Sequence, residues 1–437
     1  MGRVTGSLVS SRTDFRCAST FLIVAIIALL AFLTYLPTLK QPFIEDDYPN
    51  ILQARAYGPI ASWPQMAADA VQRVRATQFV LTYLIERAFG LRPAAFYTVG
   101  ILLHIINCCL IYALGRWKLI GYKLSFWSAV FFAIYEGHQE AVMWYSASNE
   151  LLLFLFGCLS LLSWLIYLER EKPRWRWYVA SLVFFVFALL SKESSVVFVP
   201  LLFLPLMNLE MKRRKVIPLI PFVLLAVAYS LSILQTASHS FRFHDESFQL
   251  SAPFWETWTV SFFALLFPWG WVSIIALLAW QQSRRLISFA LVWMSLSLVP
   301  YMFVNYVHRI PSRQTYLASV GLALIVGAAT LGLSEHFRRP RRWIVVAVLA
   351  LVVGHNVGHI WLKKQHQFLE RARPTEELVE FARNVNEQIY VRCFPRPQII
   401  GDSAVELRLG KPFGTLIWNE ADSERLRLTN TFCYEPK

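Results

Sequence analysis

Apolar residues along this chain fall in long uninterrupted blocks, and short polar stretches separate them. Blocks with little or no charge lie near residues 20–39, 95–115, 124–137, 150–168, 177–190, 194–209, 216–235, 256–280, 286–304, 314–333 and 343–362. Roughly 17 to 25 such residues are what an α-helix needs to cross the hydrocarbon of a bilayer. The pattern therefore predicts an all-α polytopic membrane protein with about eleven transmembrane helices. The first block is too long for the core of a signal peptide, and no small-residue cleavage site follows it, so it reads as a retained helix.

The polar stretches are unequal. The first runs to about residue 94, and within it residues 74–90 set Val74, Leu81, Leu84, Ile85 and Ala88 on one side of a helix and Arg75, Gln78, Thr82 and Glu86 on the other. Only ten residues separate Arg75 from Glu86, too few to span. This stretch predicts a helix lying in the interface plane under a long outer loop. After residue 362 the pattern changes: residues 363–437 hold 12 Lys+Arg and 11 Asp+Glu. There Pro374-Thr375-Glu376-Glu377 reads as a helix start running toward Tyr390, and Gln398-Ile399-Ile400 as a short strand. The chain thus divides into a membrane domain, 1–362, and a small C-terminal α/β domain, 363–437, large enough to sustain a core with help from the membrane domain or a covalent staple.

Composition supports the membrane reading, with 56% hydrophobic residues, 16% charged and a mean hydropathy of +0.45. Charge adds an orientation. The net charge of +14 would suit a nucleic-acid partner, but the segments between spans that fall on the side of the N-terminus carry 20 Lys+Arg against 5 Asp+Glu, whereas the opposite loops are near balance. That asymmetry is the positive-inside rule and puts the N-terminus in the cytoplasm and the C-terminal domain outside. The runs Lys212-Arg213-Arg214-Lys215 and Arg338-Arg339-Pro340-Arg341-Arg342 are then topology anchors, and no nucleic acid is expected. Trp144, Trp255, Trp258, Trp269 and Trp271 read as an interfacial belt, and His104, His355 and His359 as packing residues. Of six cysteines, Cys17 is cytoplasmic and Cys108, Cys109 and Cys158 are apolar packing residues. Cys393 and Cys433 both fall outside, where a disulfide could persist. No spacing matches a zinc site, and no glycine-rich phosphate loop is present.

Candidate chemistry collects in the outer stretches. Three consecutive acids, Glu45-Asp46-Asp47, follow the first span, although adjacent carboxylates repel. The loop after the third span carries Glu136-Gly137-His138-Gln139-Glu140 and, further on, Glu150, three acids without a base. Lys192-Glu193 sits wedged between two apolar blocks, where entry into hydrocarbon would cost roughly 2.5–3.5 kcal/mol per charge. The loop 236–255 holds His239, Arg242, His244, Asp245 and Glu246. Arg309 and Arg313 lie outside against the charge trend, which favours an anion partner, since a guanidinium matches phosphate oxygens.

One span, then Glu45-Asp46-Asp47 opening a long outer loop, resembles the GT-C class of lipid-dependent glycosyltransferases. The sequence is similar above all to the TMTC-type protein O-mannosyltransferases. The shared features are the acidic pair, Ala88-Phe89-Gly90-Leu91-Arg92-Pro93 with Tyr97 and Leu103-His104, and His138-Gln139-Glu140-Ala141-Val142. They continue with Lys192-Glu193 and with Arg313 followed by Tyr316-Leu317-Ala318-Ser319-Val320-Gly321. The likeness runs over about 290 residues in order, and the tetratricopeptide repeats of that family are missing, replaced by the short tail.

The resemblance implies transfer of a sugar, mannose being one option, from a polyprenyl phosphate to a hydroxyl of a protein or glycan, with inversion. The residues lead to the same donor class by another route: nucleotide sugars are cytoplasmic, and the polar clusters face out. A carboxylate is needed to deprotonate the acceptor and cations to steady the departing phosphate. Asp46 or Asp47 is the expected base; Arg309, Arg313 and Lys192 would clamp the phosphate, and Glu45, His138, Glu140 and Glu193 would line or orient the site. Asp46, Asp47 and His138 could alternatively hold a divalent cation, Mg or Mn. The membrane is a bacterial inner membrane or, in a eukaryote, that of the endoplasmic reticulum. A transporter or flippase is the rival class; it predicts ionisable groups near the bilayer midplane. A non-catalytic scaffold or receptor would lack a chamber joining the acids to the late arginines.

Overall fold

The computed structural model describes residues 8–69, 71–169, 174–207, 216–235, 253–280, 284–303, 310–337 and 342–436, without the side chains of 8–19, Met207 and Arg342. The basic runs at 212–215 and 338–341, the loop 236–252 and Arg309 lie outside the described residues.

Each of the eleven expected spans coincides with a helix, but the helices are unequal. Six are long and apolar enough to cross a membrane by length and composition: Thr20–Lys40, Pro93–Arg116, Tyr145–Leu168, Ile217–Leu234, Ser319–His336 and Trp343–Arg383. The block at 256–280 is a pair, Phe254–Leu266 and Trp269–Ala279, bent by 70°. Pro268 stands at the break, where its missing N–H and ring interrupt the helical ladder. Tyr122–Ile134 and Trp175–Leu189 are apolar but shorter; at 1.5 Å per residue neither spans about 30 Å alone. The chain is an integral membrane protein whose bundle packs through small residues. A Cβ on Gly327 would come within 2.4 Å of Ser128 Oγ, so this glycine sets the close approach of Ser319–His336 to Tyr122–Ile134.

At one end of the bundle the long first loop folds as Asp47–Tyr57, Trp63–Ala68 and Ala76–Phe89. Ala76–Phe89 is a helix as expected, and its buried face mixes the two sides: Gln78 and Thr82 are inaccessible with Phe79 and Ile85, while Leu84 and Phe89 are exposed. Gln78 donates to Ser146 O at 3.0 Å, and Thr82 meets the Tyr145 hydroxyl at 2.8 Å. Apolar residues are thus left facing outward, as a helix lying on lipid requires.

The tail departs from expectation twice. The last span does not stop near 362; it runs on through a π turn, His359–Lys364, into Gln365–Arg383. Pro374 lies inside that helix instead of opening one. A proline there costs about 3 kcal/mol, which is offset by one continuous buried face, Phe368, Ala372, Leu378, Val379 and Ala382. Likewise Gln398-Ile399-Ile400 is the first turn of the helix Gln398–Leu409. Pro397 precedes it, Ile400, Ala404 and Leu407 form its buried stripe, and Gly410 at φ 69° ends it. Three short strands, β1 (Ile389–Cys393), β2 (Leu416–Ile417) and β3 (Thr431–Cys433), form a parallel sheet in the order β2-β1-β3. Cys393 and Cys433 are opposite each other in β1 and β3 and are bridged. The core of this α/β unit is continuous with the first loop, since Leu378, Ile389 and Val405 belong to one cluster with Phe43, Tyr48, Ile51 and Phe96.

Candidate active site

The three acids occupy a single turn yet point three ways. Glu45 takes the left-handed conformation, φ 47°, which a non-glycine residue adopts only when its surroundings hold it there. On one side of that turn Asp47 is fully buried. Its carboxylate accepts from Ile44 N at 2.9 Å, Ser146 N at 2.8 Å and Ser146 Oγ at 2.6 Å, and Tyr97 Oη lies 3.3 Å away. Burial pushes the Asp47 carboxyl up to about 7 against those hydrogen bonds, which favour the charged form. On the other side Asp46 is exposed and caps its helix without a side-chain hydrogen bond. The walls of the recess strip water from its carboxyl and, with the Glu45 carboxylate beside it, raise its pKa; Arg313, Arg75 and Arg371 act in the opposite sense.

Glu45 itself is held by two guanidiniums from the tail, Arg371 at 2.5 Å and Arg396 at 3.0 Å. Arg371 continues to Glu140 at 3.9 Å, and Glu140 pairs with Arg313 at 3.6 Å while accepting from Arg313 N and Ser312 Oγ at 3.2 Å. Trp144 lies between the two arginines, 4.8 Å from Arg313 and 4.6 Å from Arg371, and donates its indole N–H to Ile44 O. Acids after the first span and an arginine from a much later turn therefore share one chamber. A groove of about 440 Å³ opens beside it, lined by Gln139, Glu140, Lys364, Gln367, Arg371 and Arg396.

The remaining expected residues divide. Glu140 and Arg313 stand in the chamber. Lys192 is buried and paired with Glu150, whose other oxygen accepts from Tyr301 Oη at 3.0 Å; its charge is thus taken up inside the wall. Glu193 lies 3.9 Å from Arg75. His138 is turned away from the acids, into the rings of Phe132, Tyr135 and Tyr316, with Nε2 2.7 Å from Ser319 Oγ. Among the described residues no group of three or more His, Cys, Asp and Glu side chains could hold a metal ion. Of the residues expected to hold a cation, Asp47 is surrounded by donors, His138 Nε2 lies against Ser319 Oγ, and Asp46 is exposed.

Two surface readings change as well. Trp144 is no belt residue, being 6% exposed beneath two guanidiniums, whereas Trp255 at 74% remains one. His355 and His359 both lie 3.4 Å from Glu136, while His104 is a packing residue bonded to Tyr316 Oη.

Sequence reasoning passed over Arg75, Arg371 and Arg396. Arg75 carried the same signal as Arg313, a base outside against the charge trend. Arg371 and Arg396 carried none, because their partner lies more than 300 residues earlier.

Bundle and overhanging first loop give a fold shared with solved polytopic membrane proteins. The family model for dolichyl-phosphate-mannose-protein mannosyltransferases matches residues 78–235. ArnT from Cupriavidus metallidurans, solved in the apo state and bound to undecaprenyl phosphate, superposes with a TM-score of 0.53 at 13% identity, over 95% of this chain and 90% of that one. The oligosaccharyltransferase AglB from Archaeoglobus fulgidus, in complex with an inhibitory peptide and a dolichol-phosphate, gives a TM-score of 0.55 at 9% identity; 90% of this chain is covered and 64% of AglB. At these identities the likeness is one of fold. No curated protein matches the chain.

Proposed function

We propose that this protein is a membrane glycosyltransferase that moves a sugar, mannose by the matched family description, from a polyprenyl phosphate to a hydroxyl of a protein or glycan on the extracytoplasmic face. The observation that carries the reading is Asp46, an exposed carboxylate whose raised pKa suits a base and which faces Arg75, Arg313 and Arg371. The step is a single inverting displacement. The acceptor oxygen bonds to the anomeric carbon as its proton passes to Asp46, and the bond from that carbon to the phosphate oxygen breaks with its electron pair leaving on the carrier phosphate. Arg313 and Arg75 receive that charge. The groove between Gln139 and Gln367 is the acceptor's approach.

Charge placement supports enzyme over transporter. Among the described residues the buried Asp, Glu and Lys side chains, Glu45, Asp47, Glu150 and Lys192, lie at or beyond the ends of the apolar helices, and the buried ionisable histidine His104 lies inside one.

The test uses the full chain in liposomes with polyprenyl-phosphate-linked mannose. Asp46→Asn should fold as the wild type does and lose at least about a hundredfold in transfer rate. Wild-type turnover in that variant would end the assignment.

A further inference from the structure

The three acids face different ways at the left-handed turn of Glu45, and among the described residues no cation of the first loop pairs with Glu45. Both partners come from beyond residue 362. Arg371 is on the outward extension of the last span, with its guanidinium 4.6 Å over Trp144 and 5.3 Å over Phe368. Arg396 sits between Pro395 and Pro397, directly before the helix Gln398–Leu409, so its backbone has little freedom. On the far side of the turn, Asp47 ties down Ile44 N and Ser146. Asp46 therefore sits between two anchored neighbours while its own side chain makes no capping bond.

We infer that Glu45, Arg371 and Arg396 form a clasp through which the C-terminal segment positions Asp46, so that this segment is part of the transfer site and not an appended domain. The inference rests on Asp46 being the base. Opening the clasp frees the turn to relax to an ordinary backbone conformation, which swings the Asp46 carboxylate off the acceptor; misplacement by about 1 Å costs on the order of a hundredfold in rate. The clasp also sets the charge around Asp46. Of the groups facing it, Glu45 disfavours its ionised form, and Arg75, Arg313 and Arg371 favour it, while Asp47, pushed up to about 7, is neutral when Asp46 titrates.

A base works when ionised, so transfer should fall as pH drops through the Asp46 pKa. Glu45→Gln removes a negative neighbour and should move that acid limb to lower pH, whereas Arg371→Gln removes a positive one and should move it to higher pH. Both should cut kcat at least tenfold with donor KM within about twofold, and Arg371→Lys should recover part of the loss. A role in folding alone would not shift the two limbs in opposite directions. Wild-type kcat with unmoved limbs in both variants, alongside an inactive Asp46→Asn, overturns the clasp and leaves the base; an active Asp46→Asn overturns the base instead.

A reporter that needs no turnover covers the case in which this donor is not used. In the Asp46→Cys protein, labelling by a charged maleimide should slow or speed at least threefold when Arg371→Gln or Arg396→Gln is added. An unchanged rate in both combinations counts against the clasp.

Discussion

Asp46 and Asp47 are neighbours with the same side chain, and one left-handed residue before them separates their fates. Three donors surround the Asp47 carboxylate, so Asp47→Asn must turn an amide N–H toward Ile44 N–H or Ser146, leaving a buried donor unpaired. The expected loss is about 1–3 kcal/mol of stability, read as a lower thermal midpoint. Its pH dependence has a definite sign. Burial raises the Asp47 carboxyl from 3.8 to about 7, so the neutral form contributes stability that is complete below 3.8 and is lost as pH rises to about 7. The stability difference between wild type and Asp47→Asn should move in favour of the variant over that interval, and a move in favour of wild type would contradict the assignment. The acid pair was legible in the sequence, but the division of labour within it was not, because it depends on a dihedral angle at Glu45 that no residue type announces.

Among elements, the helix Ala76–Phe89 was readable in place and kind, because its two sides differ in polarity over four turns. Which side packs inward was less obvious: Gln78 and Thr82 are buried because Ser146 and Tyr145 offer them partners. If the exposed side rests on lipid, Leu84→Trp should show fluorescence quenched by lipids brominated near the headgroup and much less by lipids brominated at the chain ends. Equal quenching at both depths would place the helix elsewhere. The Pro374 helix and the Gln398 turn were misread for one reason. Local start signals and β-branched residues weigh little when a buried stripe, continuous across them, decides the conformation. The pairing of Lys192 with Glu150 was not legible, because the two belong to different spans.

At the scale of the molecule, the apolar blocks were enough to anticipate a helical membrane bundle, and the change of composition after residue 362 a small α/β tail. The joining of tail to first loop was not, since it consists of contacts between residues more than 300 positions apart. The bridge between Cys393 and Cys433 closes that tail over a separation of 40 residues, a loop whose cross-link contributes about 4 kcal/mol in the chain-entropy picture. Replacing both cysteines by serine should leave the membrane bundle intact, make the segment after residue 383 more sensitive to protease, and lower kcat because Arg396 follows Cys393 by three residues. Unaltered proteolysis and turnover would show that the bridge is dispensable. The helix that bears Arg371 begins inside the apolar layer and continues outward without a joint, thirteen residues or about 20 Å beyond Gly358. Such a mast has its foot in lipid, so the altitude at which it grips the first loop is measured from the bilayer itself. The thickness of the surrounding membrane thereby enters the geometry of the recess as directly as any side chain does.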